Sequence, residues 1–153
     1  MRMIDIIDRK AVVPRLKART RDEVLMELSA VLAASNPQID ADRLFHVLLE
    51  REKMGSTGLE HGVAIPHGKL QGIATVAAAF GRSPKGVDFE SMDGKPAKLF
   101  FLLAAPDDHS GEHLKALARV ARAVKEESFR KKLLDAKNAD SIYRVIEDMD
   151  NRL

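Results

Sequence analysis

The sequence predicts an α/β fold, a layered sandwich in which a small mixed β-sheet is flanked by helices. Three observations predict it. Strand-like segments occupy the middle third of the chain, with helical segments before and after them. Leu99 to Ala104 is apolar without interruption, as in a strand covered on both faces. The helical segments carry apolar stripes at helical spacing.

The elements follow in order. A helix is expected from Thr20 to about Ala34, with Val24, Leu25, Leu28, Val31 and Leu32 as its apolar stripe. Asn36-Pro37 breaks it. Asp40 is suited to cap a second helix that reaches about Lys53 and buries Leu44, Phe45, Leu48 and Leu49. His46 falls on the opposite, solvent side of that helix. Gly55-Ser56-Thr57-Gly58 then forms a polar loop, followed by the short apolar piece Val63-Ala64-Ile65. Thr75 to Phe80 reads as a strand and Ser83-Pro84-Lys85-Gly86 as a turn. After the apolar strand, Pro106 is the stop, and Ser110 is the expected cap of a helix reaching about Lys125. Two shorter helices are expected near Glu127 to Ala136 and Ala139 to Asp150.

Composition narrows the class. The 153 residues are the length of one ordinary domain, and no repeat or linker divides them, so residues 1–153 read as a single unit. With 45% apolar and 31% charged residues the chain can bury a core, which excludes a disordered protein. No apolar run approaches the ~20 residues of a membrane span. Met1 to Arg9 alternates apolar and acidic residues and has no signal-peptide core, so a cytoplasmic location is expected. Zero cysteines exclude a disulfide framework, a thiolate metal site and a cysteine nucleophile. The net charge of +2 is a small imbalance between 25 basic and 23 acidic residues. The run Arg130-Lys131-Lys132 has no interleaved aromatics, and reads as a solvated helix face, not a nucleic-acid surface.

Candidate chemistry centres on histidine. In Ile65-Pro66-His67-Gly68-Lys69, Pro66 keeps Ile65 extended and Gly68 removes bulk beside the imidazole. Such a ring stands on a stiff support with open access, although a histidine that merely bonds its own loop fits the spacing equally. Arg51 flanks the apolar stripe one turn from its helix end, where a guanidinium must find carbonyls or an anion such as phosphate. His113 precedes Ala116, Leu117, Val120 and Val124 at helical spacing, which places it in the first helical turn on the core-facing stripe. There a neutral imidazole can donate one N–H beside an anion, or simply cap the helix. Ser56 and Thr57 offer hydroxyl or backbone N–H groups to phosphate oxygens. His109, in a polar loop, reads as surface. No nucleotide-binding loop, His-Glu-x-x-His motif or Gly-x-Ser-x-Gly elbow is present, so nucleotide-driven kinases and the commonest hydrolases lack support.

Arg51-Glu52-Lys53-Met54-Gly55-Ser56-Thr57-Gly58, followed by Gly62-Val63-Ala64-Ile65-Pro66-His67-Gly68-Lys69, closely resembles the signature of mannitol/fructose-class enzyme IIA domains, the nitrogen-regulatory type above all. The resemblance continues through Val87-Asp88-Phe89, Asp93, Pro96, Leu99-Phe100, Pro106 and His113-Leu114. It implies a mixed-sheet sandwich that takes phosphate from an HPr-type phosphocarrier onto His67, at Nε2, with Arg51 and His113 flanking it and the Ser56-Thr57 loop adjoining. It implies no cofactor or metal, and its regulatory type points to potassium-transport regulators or sensor kinases as targets. A sugar-specific member would instead pass phosphate to a IIB domain. His61 departs from the family pattern and receives no role. A zinc hydrolase built on His61, His67 and His113 is the alternative from another class, but its ligand spacing is not a recognised one and it lacks an evident general base.

Overall fold

A computed structural model describes residues 1–108 and 111–153. The expected helix capped by Ser110, as far as its first residue is concerned, and the surface position of His109 lie outside the described residues. The chain order is α1 (Met3–Ile6), β1 (Ile7–Val13), α2 (Arg21–Ser35), α3 (Ala41–Lys53), β2 (Val63–Ala64), β3 (His67–Leu70), β4 (Ala77–Val87), β5 (Ala97–Pro106), α4 (Glu112–Val124), α5 (Glu127–Asp135) and α6 (Ala139–Asp150).

The sheet runs β1-β4-β5-β2, with β3 also paired to β5. Among the strands of the described residues, only the β4–β5 pair is antiparallel. β5 is the central strand, and its alternation divides the core. Leu99, Phe101, Leu103 and Ala105 pack with Ala116, Val120, Phe129, Ile142 and Ile146 of α4, α5 and α6. Phe100, Leu102 and Ala104 face the other way, toward Leu25 and Leu28 of α2 and Leu44 and Leu48 of α3. Both faces are therefore covered, which is why the strand is apolar from Leu99 to Pro106.

The α2 and α3 helices begin as expected, with Thr20 accepting from the Glu23 N–H and Asp40 from the N–H groups of Asp42 and Arg43. Gly111 occupies the residue before α4, with φ of 81°. The short α1 is anchored from across the chain by buried Asp150, whose carboxylate accepts the Met3 and Ile4 N–H groups and pairs with Arg119.

One expectation needs correction, and one strand was not expected. Ser83-Pro84-Lys85-Gly86 is not a turn between strands but the extended last part of β4. It bulges out of the ladder, since Arg82 is opposite Leu99 and Val87 is opposite Ala97. Pro84, having no N–H, and Gly86, at φ +84°, suit such a bulge. Strand β1 also had no expected counterpart. Its Asp8, Arg9 and Lys10 are exposed on a sheet edge, and edge strands carry such charges without loss.

Candidate functional site

β2 and β3 are one strand interrupted. Ala64 is opposite Phe100 and His67 opposite Leu103, three residues on in both chains, so the register survives the break. Pro66 accounts for the gap, because it has no N–H to give. Its carbonyl still accepts the Leu103 N–H at 2.9 Å, which keeps the kinked segment on the sheet. His67 is consequently the first residue of a strand, not a loop residue.

The imidazole is half-buried and its Nδ1 donates to the Ile65 carbonyl at 2.7 Å. That bond fixes the neutral tautomer: the proton sits on Nδ1 and the lone pair on Nε2. Burial holds the pKa of His67 below the ordinary histidine value. The bond to Ile65 opposes that shift, the Arg51 charge adds to it and the Glu52 charge opposes it. The ring lines a cleft of about 540 Å³ with Arg51, Gly68, Lys69 and His113.

α3 and α4 reach this cleft from opposite faces of the sheet. α3 contributes Arg51, whose Nη1 donates to the Gly55 carbonyl at 2.8 Å. Arg51 therefore binds a loop carbonyl and borders the imidazole's cleft. α4 contributes His113 from its first turn, with ring centroids 5.4 Å apart and planes 64° from parallel to His67. Burial, then the charges of His67 and Lys69, hold the His113 pKa low. Its Nε2 is buried and, among the described residues, has no hydrogen-bond partner. The Ser29 and Ser91 hydroxyls share this condition, and an unpaired buried polar atom costs roughly 1–3 kcal/mol.

Other expected residues are placed differently. Ser56 donates to the Phe89 carbonyl at 2.5 Å, and the Thr57 hydroxyl donates to Glu52. The Thr57 N–H is bonded to Glu52 as well, at 3.1 Å. Neither Ser56 nor Thr57 lines the cleft, and the two hydroxyls hold the loop together. Gly68 borders the cleft and also meets α3. A Cβ there would meet Val47 Cγ1 of α3 at 2.6 Å, so the missing bulk admits the helix. His61, at φ 65°, is exposed near Glu60 and Asp93 and does not line the cleft.

Sequence reasoning missed three residues. His46 is exposed, as expected, yet borders the cleft and donates from Nδ1 to the Asp42 carbonyl. Lys69 stands two residues after His67, hence on the same side of β3. Glu52 is only 4% exposed. Its signal was visible, for it continues the buried row Leu44, Leu48 at four-residue intervals.

Helices thus cover both faces of a mixed sheet and converge at one strand end on two imidazoles. The chain belongs to the family described as "Phosphoenolpyruvate-dependent sugar phosphotransferase system, EIIA 2", whose model matches residues 5–149. It is 42% identical over 146 residues to a nitrogen regulatory protein of Bradyrhizobium diazoefficiens, covering 95% of each chain. The crystal structure of the nitrogen regulatory protein IIA-Ntr from Neisseria meningitidis superimposes with a TM-score of 0.85 at 32% identity, covering 93% of this chain and 97% of that one. The fructose-specific EIIABC component of Bacillus subtilis is 35% identical over 98% of this chain, which spans 24% of that longer protein. No helix among the described residues is long and apolar enough to cross a membrane.

Proposed function

We propose that this protein is a cytoplasmic phosphoryl carrier and regulator, phosphorylated on His67 Nε2 by an HPr-type phosphocarrier and binding its targets according to phosphorylation state. One observation carries the reading: the Nδ1–H of His67 is committed to Ile65, which leaves a neutral Nε2 lone pair on a ring bordering an open cleft. As the N–P bond on the carrier breaks, a bond forms at Nε2, and the carrier's imidazole recovers its lone pair. Such transfers pass through a loose, metaphosphate-like state, so the protein contributes position and charge. Arg51 offers guanidinium N–H groups beyond the one given to Gly55, and the unpaired Nε2 of His113 is suited to donate to a phosphoryl oxygen.

Phosphorylation adds about −1.5 to −2 charge at a single surface cleft. A partner that docks apolar surface there loses affinity, and one that presents Arg or Lys gains it. Potassium-transport regulators and sensor kinases are the target classes that the nitrogen-regulatory likeness suggests. The likeness to the Bacillus fructose component favours a second output, transfer onward to a IIB domain. Incubation with phosphoenolpyruvate, enzyme I and an HPr-type carrier is expected to give an acid-labile label on His67 alone. Full labelling of His67→Ala would overturn the assignment.

A further inference from the structure

Behind the cleft lies a charge that the transfer mechanism above does not use. Glu52 is a helix residue buried to 4% exposure, immediately after Arg51 in α3. One carboxylate oxygen accepts the Thr57 N–H and the other the Thr57 hydroxyl. The Thr57 N–H can only donate, so that contact suits a carboxylate oxygen. Burying a carboxylate is costly even when it is hydrogen-bonded, and an uncharged Gln would fill the same space. Arg51 draws a phosphoryl group in; a cleft with that charge alone would also hold on to it. A carrier has to release what it accepts.

We propose that Glu52 sets the phosphoryl-transfer potential of His67: its buried negative charge opposes the phosphoryl dianion and keeps the N–P bond ready to be given up. The inference rests on His67 being the phosphorylated residue. Glu52 touches neither the phosphoryl group nor His67, and acts as a positioning residue in two ways. Through Thr57 it fixes the loop whose Gly55 carbonyl receives Arg51. Thr57 also links it to the imidazole, since the Thr57 carbonyl accepts the Ile65 N–H at 3.1 Å and the Ile65 carbonyl accepts the His67 Nδ1–H; across that path its charge favours the protonated ring against Arg51. Arg51 precedes it in α3, and the cleft that Arg51 borders is also lined by the titratable groups of His46, Glu50, His67, Lys69 and His113. The chemical step is unchanged: one N–P bond breaks on the carrier, one forms at Nε2, and only the equilibrium between the two is displaced.

The test is the equilibrium phosphorylation of the whole protein mixed with a fixed ratio of phosphorylated to free HPr-type carrier. Glu52→Gln removes the charge and keeps the shape, and should move the equilibrium toward phosphorylated His67 on the order of tenfold, as expected for a unit charge facing a dianion across a protein interior. Glu52→Asp keeps the charge while disturbing the loop, so it should slow transfer and leave the equilibrium near wild type. Should Glu52→Gln fail to fold, Glu52→Met/Thr57→Val removes both partners together and should show the same displacement. In parallel, nuclear magnetic resonance titration should find the His67 pKa lower in Glu52→Gln than in wild type. An equilibrium within twofold of wild type in the charge-free variants would overturn the inference. Wild type that takes no phosphate on His67 would overturn the proposed function instead, and the titration would still report the field of Glu52.

Discussion

At the end of α3 and in the loop after it, three polar groups have partners: Arg51 holds Gly55, Glu52 holds Thr57, and Ser56 holds Phe89. At the start of α4, His113 faces the same imidazole with a buried Nε2 that has none among the described residues. The first region is a closed network, whose members are worth more together than singly. The second keeps one hydrogen bond unmade. The contrast fits the donor role proposed for His113.

The widest separation between the two regions should appear in transfer rate. His113→Ala removes a donor, and by analogy with oxyanion-hole deletions such losses reach 10² to 10³; about 10 to 10² is expected here because Arg51 remains. His113→Gln supplies an N–H of similar reach and should slow transfer only modestly. Rapid-quench phosphorylation of both folded variants decides the matter: equal damage from Gln and Ala means that His113 is not a donor.

Stability should respond in opposite senses. Thr57→Val leaves a buried Glu52 oxygen without its hydroxyl and should cost about 1–3 kcal/mol in urea unfolding. His113→Leu replaces an unpaired polar atom with apolar surface and should hold stability or raise it by about 1 kcal/mol, while transfer slows. A loss above that size for His113→Leu would mean that Nε2 is paired in solution and that the contrast is false.

The smallest effect is on pH. His67 and His113 both have pKa values lowered by burial, so folding favours their neutral forms. Their contribution is fully present above about pH 6.5 and is lost as pH falls through the lowered values. Wild type should therefore lose more stability than His67→Gln/His113→Gln between pH 7 and pH 5. Parallel losses would show that neither ring is held neutral by the fold.

Much of this was legible in advance, for reasons that differ by element. α2 and α3 carry stripes with good caps, and β5 is a central strand whose apolar run ends at Pro106. β1 was hidden because an edge strand tolerates Asp8-Arg9-Lys10, and 83–86 was misjudged because Pro and Gly mark bulges as well as turns. In the cleft, His67, Arg51 and His113 stood out through motif and spacing. Ser56 and Thr57 were placed by their residue type, which says what a hydroxyl can bond but not which of several acceptors is nearest. Glu52 escaped notice because a glutamate beside Lys53 looks like surface charge until its four-residue interval from Leu48 is counted.

Gly68 has an effect beyond its own strand. Its Cα rests against Val47 so closely that no methyl fits between β3 and α3. Positions 47 and 68 therefore share a single volume across two segments of chain, and a methyl added at one requires a methyl removed at the other. Gly68→Ala should damage transfer by pushing Arg51's helix away from His67, and Val47→Ala should restore it. The two positions would then be inherited as a couple, with the gap between guanidinium and imidazole as the trait that they jointly encode.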